Sequence, residues 1–193
     1  MMLSILIPSI PERLPQLASR METYESFIKL YSLQGLIEVI AIVDNKQRTI
    51  GEKRNDLLRL ANGDYIVFSD DDDWLTQTYF KLIINGCEKR VDVITYLQSA
   101  RINEDLTTVQ FGLKQENQEF QKNGITIRPA WHCCTWRREK VKNILFPAIN
   151  YGEDDPWAKA ANEKAETSYH INEVCHVYTH DSTKTASFDE RGN

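Results

Sequence analysis

Four consecutive aspartates, Asp70-Asp71-Asp72-Asp73, stand directly behind the apolar run Tyr65-Ile66-Val67-Phe68-Ser69. Such a run reads as a buried strand, so the carboxylates emerge together at its carboxyl end. Unit charges about 4 Å apart repel by roughly 1 kcal/mol in water, and by more where water is partly excluded. A divalent cation removes that cost, and hard oxygen ligands suit Mg2+ or Mn2+. Alternation along an extended chain puts Asp70 and Asp72 on one side. The cluster is also compatible with a solvated acidic loop in which Asp73 or a neighbour caps the next helix. Two other patterns fail. An EF-hand loop opening at Asp70 needs Gly at its sixth position and Glu at its twelfth, where the chain has Leu75 and Lys81. A P-loop or dinucleotide site needs a glycine-rich turn after a strand, and Pro8-Ser9-Ile10-Pro11-Glu12-Arg13 contains no glycine.

A second acidic patch is Gly152-Glu153-Asp154-Asp155-Pro156-Trp157. Asp155 suits a helix N-cap and Pro156 the first helical position, with the helix running to about Ala165. That leaves Asp154 freer for acid–base chemistry, with Glu153 as its competitor. Asp154 and Asp155 are also residues that a helix dipole favours for purely structural reasons. Among the four histidines, His132 precedes Cys133-Cys134 and is a candidate ligand or substrate contact, while His170 and His176 read as structural. Cys133 and Cys134 lack the two-residue gap common in zinc sites. With Cys87 and Cys175 they read as small buried hydrophobes in a reducing cytoplasm, ahead of a cysteine nucleophile or a zinc site.

The elements that must carry these patches follow from periodicity. Leu3–Ile7, Ile37–Val43, Tyr65–Ser69 and Val91–Tyr96 read as strands. Helices are predicted from about Leu14 to Tyr31 with Gly35 as the stop, from Ile50 to Asn62-Gly63, and over Thr76–Cys87. Strands alternating with helices imply a mostly parallel sheet covered on both faces. Further on, Ser99–Ile102, Thr108–Leu113 and Ile125–Arg128 read as short strands around the polar stretch Lys114–Gly124. Tyr169–Ile171 and Val174–Tyr178 read as a hairpin. With 193 residues, 41% of them apolar and 26% charged, one domain with a substantial core is expected. A net charge of −5 argues against attachment to DNA or a membrane by bulk charge. No apolar run approaches the roughly 20 residues that span a bilayer, and the opening Met1–Ile7 lacks the marks of a signal peptide. A cytoplasmic protein without stable membrane insertion is the expectation.

Taken in order, four patches resemble the inverting family 2 glycosyltransferases, which have the GT-A fold. Ser4-Ile5-Leu6-Ile7-Pro8-Ser9 resembles their opening strand and its Pro-Thr/Ser turn. Ile42-Val43-Asp44 resembles the end of their second strand. Lys53-Arg54-Asn55 and Ala61–Phe68 resemble the helix and strand that lead into the DxD site, and Gly152–Trp157 resembles their later Glu-Asp motif. The resemblance implies a single GT-A (nucleotide-diphospho-sugar transferase) α/β domain over residues 1–181, its mostly parallel central sheet flanked by helices. Residues 1–98 would form the nucleotide-sugar-binding half, 99–181 the acceptor-side half and 182–193 a polar tail.

The resemblance also implies roles. Asp72 would be the main Mn2+ or Mg2+ ligand, Asp70 would lie beside the ribose or share the metal, and Asp71 would adjoin the nucleotide. Asp44 would contact the base or ribose, Pro8 and Ser9 would shape the base pocket, and Arg54 would sit near base or phosphates. Asp154 would be the general base of a single inverting displacement, and His180 would complete the metal shell. Asp44 is also compatible with a turn cap, and Arg54 with a surface ion pair. Trp74, Trp131 and Trp157 adjoin the motifs, where they suit either a sugar face or the core. The implied donor is a nucleotide-sugar, a UDP-sugar first among them. The acceptor is left open among glycan, lipid-linked sugar, protein and modified nucleobase. The sequence departs from the family where Asn45-Lys46 follows Asp44 in place of a second acid and Gly-Ser, and in its shortness. A metal-dependent nucleotidyltransferase is disfavoured by the missing glycine-rich loop. A non-catalytic nucleotide-sugar or glycan-binding module is disfavoured by the intact Asp72 and Asp154.

Overall fold

A computed structural model describes residues 1–180. The expected tail 182–193, and residue 181 at the expected domain end, lie outside the described residues. The chain opens with β1 (Leu3–Ser9), a single 3-10 turn (Pro11–Arg13), α1 (Leu14–Leu30), β2 (Ile37–Val43), α2 (Ile50–Leu60) and β3 (Tyr65–Phe68). It continues through β4 (Trp74–Leu75), α3 (Gln77–Glu88), β5 (Val93–Ile102), β6 (Asp105–Gly112), β7 (Ile125–Pro129) and β8 (Thr135–Arg137). The last elements are α4 (Arg138–Val141), α5 (Asp154–Lys164) and β9 (Ser168–His180). Among the described residues no helix is long and apolar enough to cross a membrane.

β1 is the centre of the first half. All seven of its residues are buried, and it runs parallel to β2 on one side and β3 on the other. Alternation divides its side chains between two layers. Leu3, Ile5 and Ile7 pack with Leu17 and Tyr24 of α1 and Tyr79 and Phe80 of α3. Leu6 packs with Leu57 and Leu58 of α2 and Trp157 and Ala158 of α5. All four cysteines are free and buried in these layers. Thr49 and Glu52 form a reciprocal capping box at the start of α2. Thr76, not Asp73, caps α3 by accepting from the Tyr79 amide.

The strand order is β2-β1-β3-β8-β5-β6-β7, with β9 on the other edge of β5 and β4 on β9. The sheet is mixed and mostly parallel, as the sequence implied; β8 enters antiparallel between β3 and β5. Three local expectations are corrected. The expected strands Val91–Tyr96 and Ser99–Ile102 are parts of one strand, β5, which starts at Val93 and has Leu97 and Gln98 within it. The expected late hairpin is also one strand, β9, because it finds a parallel partner along the whole of β5. Asn172 and Glu173, which read as turn residues, fall at a register irregularity in that pairing and are exposed. Finally, α5 begins at Asp154 with Glu153 at the cap position and no side-chain cap bond. Asp155 is therefore inside the helix, and Pro156 stands third rather than first. Proline is tolerated there because first-turn amides have no intrahelical acceptor.

Candidate active site

In the order β2-β1-β3 the chain reverses direction across β1, with α1 on one face of the sheet and α2 on the other. The carboxyl ends of β1 and β3 part at that reversal, and open α/β sheets bind ligands in such a crevice. Pro8 and Ser9 end β1, and the acidic loop leaves β3 beside them. Ser9 Oγ donates to Asp71 Oδ2 at 2.5 Å. Arg13, from the 3-10 turn after β1, bonds Asp71 and reaches Asp72 Oδ2 at 3.0 Å. The loop itself is tightened by the Asp73 amide, which donates to the Asp70 carbonyl at 3.0 Å.

Arg54 projects from α2 into the core and is 2% exposed, so it is no surface ion pair. Its Nη2 donates to both oxygens of Asp70 at 2.8 and 3.0 Å, and its Nε to Glu153 Oε1 at 3.1 Å. The guanidinium lies over the rings of Phe68 and Phe146. Burial would raise the Asp70 carboxyl, but Arg54 and His132 outweigh it and hold that group well below the usual carboxylate range. Burial pushes the Glu153 carboxyl up, with Arg54 opposing and Asp154 reinforcing.

His132 stands between two acids. Its Nδ1 is 3.4 Å from Asp154 Oδ2, and its Nε2 is 3.8 Å from Asp70 Oδ2. Trp131 Nε1 donates to the same Asp154 oxygen at 2.9 Å. Burial and the Arg54 charge would lower the imidazolium pKa, but Asp154 and Asp70 raise it to about 10, so His132 is cationic at neutral pH. Asp154 is brought to about 2, because hydrogen bonding and charge from His132 and the Trp131 bond overcome burial. Asp154 also occupies the first turn of α5, where the helix dipole favours an anion.

Asp72 is left short of positive charge. Removal of water by its neighbours, then the charges of Asp70 and Asp73, push its carboxyl to about 6 against the pull of Arg13. This happens although the side chain is 45% exposed. Among the described residues no three His, Cys, Asp or Glu side chains converge into a closed metal cage. Mg2+ needs no such cage, since one or two carboxylates and the substrate's phosphates commonly hold it. An exposed carboxylate that shares one arginine with Asp71, beside a cavity, fits a cation of that kind. Asp73 is spoken for elsewhere: its Oδ2 lies 3.3 Å from buried His176 Nε2, whose Nδ1 meets Gln98 Nε2 at 2.8 Å.

Two cavities meet at this cluster. One, of about 200 Å³, is lined by Pro8, Ser9, Arg13, Lys53, Arg54, Asp70, Asp71, Asp72 and His180 among others. The other, of about 310 Å³, has Asp70, Asp73, Trp131, His132 and Asp154 at the acidic cluster and extends over β5, β6 and β7. Asp70 and Tyr178 line both. The sequence-predicted residues are therefore brought together with one exception. Asp44 lines neither cavity; it is held by the Arg48 amide at 3.1 Å and by Lys53 Nζ at 3.2 Å. Lys53 also donates to the Ser9 carbonyl at 3.1 Å, tying β2 to the end of β1. Trp157 is fully buried and stacks on Phe146, and Trp74 lies under Arg20. Trp131 alone of the three reaches Asp154. Arg13 and Tyr178 were given no role from the sequence, although Arg13 closes the stretch Pro8–Arg13 and Tyr178 stands two residues before His180. Lys53 was visible only as a neighbour of Arg54.

Fold and site together define a single α/β domain of the GT-A type. Residues 11–145 match glycosyl transferase family 2, and the chain belongs to that family. The match ends before Glu153 and Asp154. The uncharacterized glycosyltransferase EpsJ of Bacillus subtilis (strain 168) is 26% identical over 152 residues, which cover 72% of this chain and 44% of EpsJ. S. aureus TarS 1-349 shares the fold with a TM-score of 0.64 at 16% identity, over 93% of this chain and 60% of that one. The same protein in complex with UDP-GlcNAc gives 0.61 at 13% identity, over 98% and 64%. The chain thus spans under half the length of the curated relative and under two thirds of these solved structures.

Proposed function

We propose that the protein transfers a sugar from a nucleotide-sugar donor to an acceptor hydroxyl, with a divalent cation at Asp72, Asp154 as base and inversion at the anomeric carbon. The observation that carries this reading is the position of Asp70 as a wall common to both cavities. A donor entering beside Ser9 and Asp72 and an acceptor entering beside Trp131 and Asp154 meet there. Family membership and the UDP-GlcNAc complex of TarS support a nucleotide-sugar donor, with a UDP-sugar tried first.

The chain's own groups have distinct tasks. Pro8 and Ser9 shape the nucleotide side, Arg54 fixes the direction of Asp70, and Arg13 places Asp71 and Asp72. His180 lines the same cavity as Asp72 and is the candidate further ligand. A cation held at Asp72 would offset charge on the departing nucleoside diphosphate. Asp154 lines the acceptor side whereas Glu153 is turned to Arg54, so Asp154 accepts the hydroxyl proton. A carboxyl near 2 is a weak base, and the base works best with a pKa near the operating pH. Exclusion of water by a bound acceptor disfavours the charged form and raises it toward that range.

Thermal unfolding with UDP, GDP, CDP and dTDP, each with and without Mn2+, tests the reading. One nucleotide should stabilise the protein only with the metal, by about 2.7 kcal/mol at a hundredfold excess over Kd. Asp72→Asn should remove the metal-dependent part. No shift with any nucleotide refutes the proposal. Nucleotide-dependent stabilisation without turnover of the matching nucleotide-sugar would instead identify a binding module.

A further inference from the structure

Part of the floor of the larger cavity offers a ligand only carbon. Alternation and register align side chains from four strands into one floor. His176, Gln98, Val109 and Thr126 form one row across β9, β5, β6 and β7, and Ala100 and Phe111 lie to either side of it. Ala100, Val109 and Phe111 present carbon only. Among the polar members of the floor, Thr107 Oγ1 meets Thr126 Oγ1 at 3.0 Å, and Gln98 Nε2 meets His176 Nδ1 at 2.8 Å. A buried ligand hydroxyl facing Ala100, Val109 or Phe111 would lose its water without replacement, at about 1–3 kcal/mol each. Phe120, from the segment between β6 and β7, closes the cavity with a further apolar surface.

Charge gives the cavity a direction. Its acidic end carries Asp70, Asp73 and Asp154. Arg128 is the one arginine or lysine among its lining residues, and it stands beside Phe111 in the β6–β7 register. Its Nη1 donates to the neutral amide of Asn117 at 2.9 Å, and it makes no ion pair among the described residues. A cation beside apolar lining, with no anionic partner among the described residues, is a place for a ligand's negative charge. At about 310 Å³ the cavity stands near the lower end of the usual range for ligand sites, roughly 300–1,000 Å³.

We infer that this cavity is the acceptor subsite, and that it takes an apolar ring or chain bearing an anionic group. The apolar part lies on Ala100, Val109, Phe111 and Phe120, the anion sits at Arg128, and the nucleophilic hydroxyl points to Asp154. The inference rests on the glycosyltransferase reading and names the acceptor class for it.

Calorimetric titration with phenyl phosphate, octyl phosphate, inorganic phosphate and benzyl alcohol tests it, with the smaller cavity saturated by the stabilising nucleotide and Mn2+. Phenyl or octyl phosphate should bind at least tenfold more tightly than inorganic phosphate and than benzyl alcohol, and the tighter of the two tells ring from chain. Arg128→Gln should erase the preference over benzyl alcohol, and Phe120→Ala the preference over inorganic phosphate. Arg101→Gln, on the opposite face of β5, should change neither. Equal affinities, or a preference untouched by Arg128→Gln, overturn the inference. Failure of every nucleotide to bind sinks the transferase reading instead, and Arg128→Gln still locates the probe.

Discussion

Arg54→Met removes the one cationic partner that buried Glu153 has among the described residues. Arg54 is nearly inaccessible and serves Asp70 and Glu153 at once, through three charge-assisted hydrogen bonds of 2.8–3.1 Å. Taking one partner from a buried ion pair costs about 3–5 kcal/mol, because the other charge is left unpaired. Asp70 is 31% exposed and regains water, whereas Glu153 is 7% exposed and does not, which places the loss at the lower end, about 3 kcal/mol. For a domain of this size that lowers Tm by roughly 6–12 °C. The sign with pH is fixed. The Glu153 carboxyl is already raised by burial and, without Arg54, rises further above its unfolded value, so the deficit is full at high pH and shrinks as pH falls through that raised value. Urea unfolding followed by tryptophan fluorescence at pH 7.5 and 5.5 measures it. Arg54→Lys should recover part of the loss. Arg54→Met with Glu153→Gln should be more stable than Arg54→Met alone, since one unpaired charge is gone. A loss below about 1 kcal/mol, or a double variant no better than the single, refutes the claim that Arg54 neutralises the site.

Asp154→Asn should lower the transfer rate by about 10²–10⁴-fold while metal-dependent nucleotide stabilisation stays within error; normal turnover would move the base elsewhere. Asp92 accepts the amides of Glu166 and Thr167 at 2.9 and 3.2 Å, and these bonds and Lys140 bring its carboxyl below its usual value against burial. Asp92→Ala should cost about 1–3 kcal/mol. Because the folded pKa is depressed, that difference is full above about pH 4 and closes as pH falls further, which urea titrations at pH 7 and 3.5 would read. Gly51→Ala drives a Cβ into the Pro147 carbonyl oxygen, so the segment before α5 must shift. A loss of about 1–3 kcal/mol is expected in the same assay, together with weaker transfer, since that segment leads into Glu153 and Asp154.

Composition and periodicity were enough to read the first half of the molecule. A fully apolar β1, helices with one buried face and acids placed just after a strand are local patterns, and local patterns survive in the order of residues. The same holds for the register rows on β5 to β7, which follow from a period of two once the partners are known. Choosing the partners required the folded chain. Ser9 meets Asp71, Arg13 meets Asp72 and Arg54 meets Glu153 across separations of 62, 59 and 99 residues. No periodicity encodes such pairs. The bridge that His132 makes from Asp70 to Asp154 arises only where the loop before β8, the end of β3 and the start of α5 converge. The late strands show the same division. Asn172 and Glu173 look like a turn by propensity, and parallel pairing along β5 overrides that propensity. Sequence alone determined which acids could do chemistry. Tertiary structure decided which of them are neutralised by Arg54, which is held by His132, and which, at Asp72, is left with charge to spare, because burial and long-range ion pairs set those states.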